Sequence, residues 1–198
     1  MSENHSTEQT NRVVSDDMLI ILPVRNLVLF PGVVSPVSMA RERTVAGAQE
    51  AVRTERKVGF LLQKDPSVDE PGPDDLYKVG TVATVLRYVT QDGTHHLVVQ
   101  GERRFRVLDF QPGLPFMLAR VEYLAETGLT SSEVEARTLN LKRQAREAIN
   151  LLPQAPGELA NAVEAMESPS LLADLVASFM DIKGAEKQQI LEVTDLSA

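Results

Sequence analysis

The hydrophobic period changes once along this 198-residue chain, and that single change limits what it can fold into. From Met18 to about Glu126 the apolar residues come in short runs: LIILPV, LVLF, VSPVSM, VGFLLQ, VGTVATVLRYV, HHLVVQ, RRFRVLDF and FMLARVEYL. Gly, Pro and Asp separate them, which is the punctuation of strands and turns. After Gly128 the apolar residues recur every three or four positions. Val134, Leu141, Ala145, Ala148, Ile149 and Leu152 mark one helix that stops before Pro153, a second runs from Gly157 to Glu167, and AEKQQILEV forms a fourth. Between them, Leu171, Leu172, Leu175, Val176, Phe179 and Met180 make the apolar face of a third, read as bundle core. Thr130 with Glu133 is a capping-box pair, and Ser168-Pro169 supplies an N-cap followed by proline at the first helical position. The fold class is therefore α+β: residues 1–17 a disordered leader, 18–126 a β-rich barrel or sandwich, and 129–198 a helical bundle.

Local signals refine this outline. Pro31-Gly32 suits the centre of a type II turn, and Asp92-Gly93 between two apolar runs is a strong hairpin signal. Residues 42–54 interrupt the strands with a short helix, with Val45, Ala48, Gln49 and Val52 on its inner face. Residues 65–76 carry three prolines and five acids and form a long surface loop. The acids Asp65, Asp69, Glu70, Asp74 and Asp75 match no EF-hand spacing.

Composition removes several functions. The net charge of −8 repels a phosphate backbone, so nucleic acid is not an expected partner. Absence of cysteine excludes disulfides and thiolate chemistry. No apolar run approaches the roughly 20 residues of a membrane span, and the N-terminus lacks an apolar signal core, so no membrane is expected and the default location is cytoplasmic. The sequence contains no phosphate-binding loop, no G-x-S-x-G elbow and no H-E-x-x-H zinc motif. His95 and His96 are strand neighbours that point to opposite faces, a poor arrangement for holding one metal. In RRFRV, alternation sends Phe105 and Val107 into the core and Arg104 and Arg106 to solvent.

One stretch does not fit a half-exposed strand. In LPVRNLVLFPG, Leu27 and Leu29 share one face while Val28 and Phe30 share the other, so both faces are apolar. The second face is either covered by another layer of the same protein or left open for a ligand. A further apolar segment lies in a connection, Gly113-Leu-Pro-Phe-Met117. Together they outline a candidate rim for unfolded polypeptide: Leu27, Phe30, Pro31, Leu114, Pro115 and Phe116.

LPVRNLVLFPG followed by S-P-V, then FLLQKDPSVDEPGPDDLYKVGTVATV, VVQGERRFRV and LLADLVASFMDIKGAEKQQILEVTDL, closely resemble the N-terminal domain of the ATP-dependent Lon protease family. The resemblance covers nearly everything from Met18 to Ala198. It implies a PUA-like β subdomain followed by a helical subdomain that recognises and holds unfolded or damaged substrate proteins in protein quality control. In the family, an ATPase module using ATP and Mg and a protease module with a Ser-Lys dyad come later in the chain. No position here matches their catalytic residues, so these 198 residues are expected to bind rather than catalyse and to need no cofactor or metal. The resemblance also implies other subunits of a homohexamer as partners. A different role stays open beside capture: the helical part, with six bases against eleven acids from Leu129 onward, serving as a structural contact between subunits while substrate is gripped elsewhere.

Overall fold

A computed structural model describes residues 17–128, 131–151 and 157–196. The leader up to residue 16, the capping residue Thr130, the boundary at Leu129 and Pro153 lie outside the described residues. In chain order come β1 (Met18–Val24), β2 (Val34–Met39), α1 (Glu42–Arg53), β3 (Val58–Leu62), β4 (Val79–Gln91), β5 (Thr94–Gln111) and β6 (Met117–Tyr123). The helices α2 (Ser132–Leu151), α3 (Gly157–Ala165), α4 (Pro169–Phe179) and α5 (Gly184–Glu192) follow.

The strands make one mixed sheet in which β1 and β3 are parallel and the other pairs antiparallel. The pairings β1–β3, β3–β4, β4–β5, β5–β6 and β6–β1 return on themselves, and β2 is appended to β5. Strand β1, paired on both edges, is apolar on both faces because each is covered: Ile20 and Leu22 join the cluster beneath α1, while Leu19 and Ile21 join a second with Leu61 and Phe105. Asp92 and Gly93 take φ values of 49° and 76°, the two positive angles that a tight two-residue hairpin needs. HHLVVQ and RRFRVLDF, read as two strands, are one long β5 that crosses from β2 to β6.

One smaller expectation is corrected by packing. Helix α1 turns Thr44, Gly47, Ala48 and Ala51 inward, while Gln49 and Val52 are exposed, because small side chains let the helix lie close to β1. Helix α2 begins with Ser131, whose Oγ accepts from the Val134 N–H at 3.1 Å. Ser168 behaves as its sequence suggests, its Oγ accepting from Leu171 N–H at 3.3 Å ahead of Pro169.

Residues 27–30, expected as a strand, belong to no ladder and instead form an extended connection clamped on both sides. Thr81 Oγ1 donates to the Leu29 carbonyl at 2.6 Å, and Gly32 and Val33 exchange backbone hydrogen bonds with Gly101 at 2.9 Å each. Gly101 has to be glycine at this crossing, since a Cβ there would sit 2.3 Å from the Phe30 carbonyl oxygen. The alternation itself holds. Leu29 enters the cluster under α1, while Val28 and Phe30 pack with Leu62, Val79, Ala177 and Leu191. The second apolar face of LVLF is therefore covered by α4 and α5.

The same junction contains a buried ion pair. Arg104, expected to face solvent, is 5% exposed and grips Asp174, 1% exposed, with Nη2–Oδ1 and Nη1–Oδ2 contacts of 2.6 and 2.9 Å. Its Nη1 also donates to Glu126 at 2.9 Å and its Nε to the Leu191 carbonyl at 2.8 Å. Alternation along β5 was read correctly, but the outer face at this point lies beneath the helices. Beside it, Gln188 Nε2 donates to the Val79 carbonyl at 2.9 Å. Burial pushes the Asp174 carboxyl above the ordinary carboxylate range, and Arg104 is the group that opposes this push.

Removing one partner of such a pair strands a buried charge, so Asp174→Ala is expected to lose about 3–5 kcal/mol in urea unfolding. In Arg104→Met the folded-state pKa of Asp174 rises further above its unfolded value. The native state then holds a proton that the unfolded state releases, and the deficit of this variant grows as pH is raised from acid towards neutral. A pH-independent deficit would contradict this assignment.

Candidate functional site: a groove beside β2

Strand β2 pairs with β5 along one edge, and among the described residues its other edge carries no partner strand. An unpaired edge offers backbone donors and acceptors to any extended chain, and Pro36 in its middle reduces that hazard by removing one donor. Between this edge and the end of β1 lies a groove of about 540 Å³, walled by Pro23, Val24 and Leu27 on one side and Pro36, Val37 and Met39 on the other. It shares Asn26 and Leu27 with a second groove of about 270 Å³ that reaches Val34, Phe179 and Ile182. The two adjoin through these shared residues, the first mainly apolar and the second mixed, with Ser35, Ser178 and Lys187 beside its apolar side chains.

The candidate rim read from sequence divides into three environments. Leu27 is half-buried and lines both grooves. Phe30, at 0% exposed, and Pro31, also buried, do not reach the surface; their expected exposure is overturned, because α4 and α5 cover the face on which Phe30 lies. Leu114, 37% exposed, and Pro115, also exposed, lie on the connection between β5 and β6. Phe116 is half-buried against the cluster beneath α1, and neither groove lined by Leu27 includes any of these three.

Sequence reading missed Val34, Met39 and Phe179. The apolar stripe on α4 was assigned wholly to the bundle core, yet only part of it is covered: Leu172 is buried, whereas Phe179 is 67% exposed and Met180 is exposed beside it. A 3.6-residue period shows that a helix has an apolar face but not how far along the helix the cover extends.

Lys187 lines the second groove, and the charged side chains of the first are two arginines. Arg25 and Arg41 both line it, with Arg25 Nη2 2.6 Å from Asp69 Oδ1 and Arg41 Nη1 donating to the Asp69 carbonyl at 3.4 Å. Burial, together with the like charge of Arg25, pushes the Arg41 pKa below its ordinary value. The acidic loop is thus folded back over the groove's end. The histidines have separate partners elsewhere: His95 Nδ1 lies 2.5 Å from the Tyr88 hydroxyl, and His96 Nδ1 lies 2.9 Å from Ser38 Oγ. Among the described residues no three His, Asp or Glu side chains are grouped to hold a metal, and no helix is long and apolar enough to cross a membrane. Apolar walls, an open strand edge and a cationic end are the means of binding an extended peptide.

Phe30 and Leu27 separate core from groove experimentally. Phe30→Ala should cost about 3–5 kcal/mol in urea unfolding, as expected for a fully buried ring. Leu27→Ala, which removes a half-buried side chain, should cost only about 1 kcal/mol. Equal losses would contradict these placements.

Comparison with known proteins places this geometry in context. Residues 18–198 match the family profile described as the ATP-dependent protease La (LON) substrate-binding domain. A Lon protease of Methylocella silvestris is 49% identical over 183 residues, which is 92% of this chain and 23% of that protein. A Lon protease of Paraburkholderia phytofirmans is 46% identical over 205 residues, covering 98% of this chain and 26% of that protein. The chain spans about a quarter of the length of these curated relatives. Among solved structures, the N-terminal domain of Mycobacterium avium complex Lon protease superposes with a TM-score of 0.67 at 23% identity, covering 91% of this chain and 92% of that one. A Lon N-terminal domain protein from Xanthomonas campestris gives a TM-score of 0.62 at 17% identity, with coverage of 90% and 92%. At those identities the likeness is one of fold.

Proposed function

We infer function from one premise: this chain belongs to the ATP-dependent protease La (Lon) substrate-binding domain family. On it we propose that the domain captures unfolded or damaged polypeptide in the cytoplasm through the groove beside β2, and helps deliver it to the ATPase and protease parts of a full-length, hexameric protein. The closed strand circuit is read as the PUA-like unit of that family. Catalysis, ATP and Mg belong to the other modules, and the chemistry of this chain is binding, with no cofactor of its own.

The observation that carries this reading is the apolar groove walled by Leu27, Val37 and Met39, which adjoins a mixed groove reaching Val34 and Phe179 beside an unpaired strand edge. Folded proteins keep such surface covered, whereas unfolded chains present the complementary side chains and free backbone groups. Each large apolar side chain that docks contributes about 1.5–3 kcal/mol, and association itself costs several kcal/mol, so two or three anchors give weak, reversible capture. Several copies held together would raise the avidity without making any single grip slow to release. Leu114 and Pro115 remain a second, separate contact for substrate, while Phe30 and Pro31 serve the fold.

A structural role between subunits is favoured at a different place. Leu139 and Leu151 stand 70% and 82% exposed on α2, away from the residues that wall the groove. The two roles therefore use different surfaces of one domain.

The double variant Leu27→Ser/Phe179→Ser tests capture. Its circular dichroism should stay native while photocrosslinking to a carboxymethylated, permanently unfolded protein falls at least about tenfold. Undiminished crosslinking by the folded variant would remove the groove from the function, and a matching loss from Leu139→Ser would move the site to α2.

A further inference from the structure

The groove is not symmetrical along its length. Towards Asn26 and Leu27 it opens into the second groove and on to Phe179. In the other direction Pro23, Arg41 and Thr44 close it, and the space beyond them, bounded by Glu70 and Pro71, shrinks to about 10 Å³. That volume is at or below what one water requires, so a peptide lying in the groove cannot run through this end. A chain that fills the groove has to terminate there or turn out of it.

The side chains at the blind end select which terminus it is. Arg25 and Arg41 are close enough for the charge of one to depress the pKa of the other. Arg25 shares its charge with Asp69, a carboxylate whose side chain is 89% exposed, so that pair is weak and readily exchanged. Arg41 makes one long hydrogen bond, to a backbone carbonyl, and among the described residues no carboxylate lies within ion-pair distance of it. Most of its five N–H groups are thus available to an incoming acceptor. Asp69 and Glu70 also act on Arg41 from this end, so its charge is mixed; what favours a carboxylate is that a guanidinium fork with N–H groups to spare needs an acceptor, and an α-ammonium group offers none.

Resting on the reading of the groove as the capture site, we propose that its blind end is a subsite for the free C-terminal carboxylate of a substrate chain whose last residues are apolar. The terminal carboxylate sits between Arg41 and Arg25, taking the place of Asp69 on Arg25. The preceding side chains alternate between the walls of Val24, Val37 and Met39 and the opening towards Leu27. Substrates are accordingly engaged from their C-terminal end when that end is apolar and exposed.

The test uses the 198-residue chain and three fluorescein-labelled decapeptides of alternating serine and leucine. One ends in leucine with a free carboxylate, one is its carboxamide, and one is the carboxamide with a glutamate in mid-sequence. In fluorescence anisotropy at low salt the free acid should bind about tenfold tighter than either carboxamide. Arg41→Gln should bring that ratio to about one by weakening the free acid far more than the carboxamide. Arg25→Gln should reduce the ratio in the same sense, and it serves as the second variant if Arg41→Gln does not fold. Equal binding of acid and carboxamide by the unaltered chain overturns the subsite, as does equal binding of the free acid and the glutamate peptide. If both carboxamides bind and lose affinity in Leu27→Ser/Phe179→Ser, the capture groove stands even when the carboxylate subsite falls. If no peptide binds at all, both fall.

Discussion

The burial of Val28 and Phe30 between the sheet and α4–α5 is the contact on which the rest of this structure depends. It fixes the path of residues 27–33 across β4 and β5, a path close enough to require Gly101 and held by Thr81. Because that path is fixed, Leu27 emerges at one particular place beside β2. The buried pair of Arg104 and Asp174 acts at the same junction as a directional complement to the apolar contact, since a guanidinium that must meet a carboxylate tolerates few relative placements of sheet and helices. Apolar packing supplies the drive and the ion pair supplies the register.

This arrangement makes the site a by-product of how two units are joined. One wall of the groove belongs to the sheet, and its extension to Phe179 and Ile182 belongs to the helical unit. A loosened junction would therefore alter the site without touching a groove residue. The acidic loop contributes similarly: Asp69 holds Arg25 and Arg41 near the groove's end, and among the described residues no carboxylate comes within ion-pair distance of Arg41.

Much of this was legible in the sequence, and the boundary of legibility has physical causes. Strand and helix periods, the Asp92-Gly93 hairpin and the Ser168-Pro169 start are set by local backbone preferences and can be read locally. The two-faced pattern of LVLF correctly signalled that residues 27–30 contact two layers, but alternation does not say whether the second layer is protein or ligand. For Phe30 it is protein. Arg104 was misread for the same reason: its partner Asp174 lies 70 residues away, and no pattern along β5 reports that a helix will cover it. Val34 and Phe179 were missed because a groove is formed by what fails to be covered, and Met39 because a residue can be largely buried and still form a groove's wall.

Amide hydrogen exchange, with and without a carboxymethylated unfolded protein, tests the central claim most directly. The account predicts that Val28 to Phe30 exchange slowly in both states, and that added protection on binding is concentrated in Asn26, Leu27, the amides of β2 on either side of Pro36 and the end of α4. Fast exchange at Val28 to Phe30, or protection gained on α2 with none on β2, would contradict it.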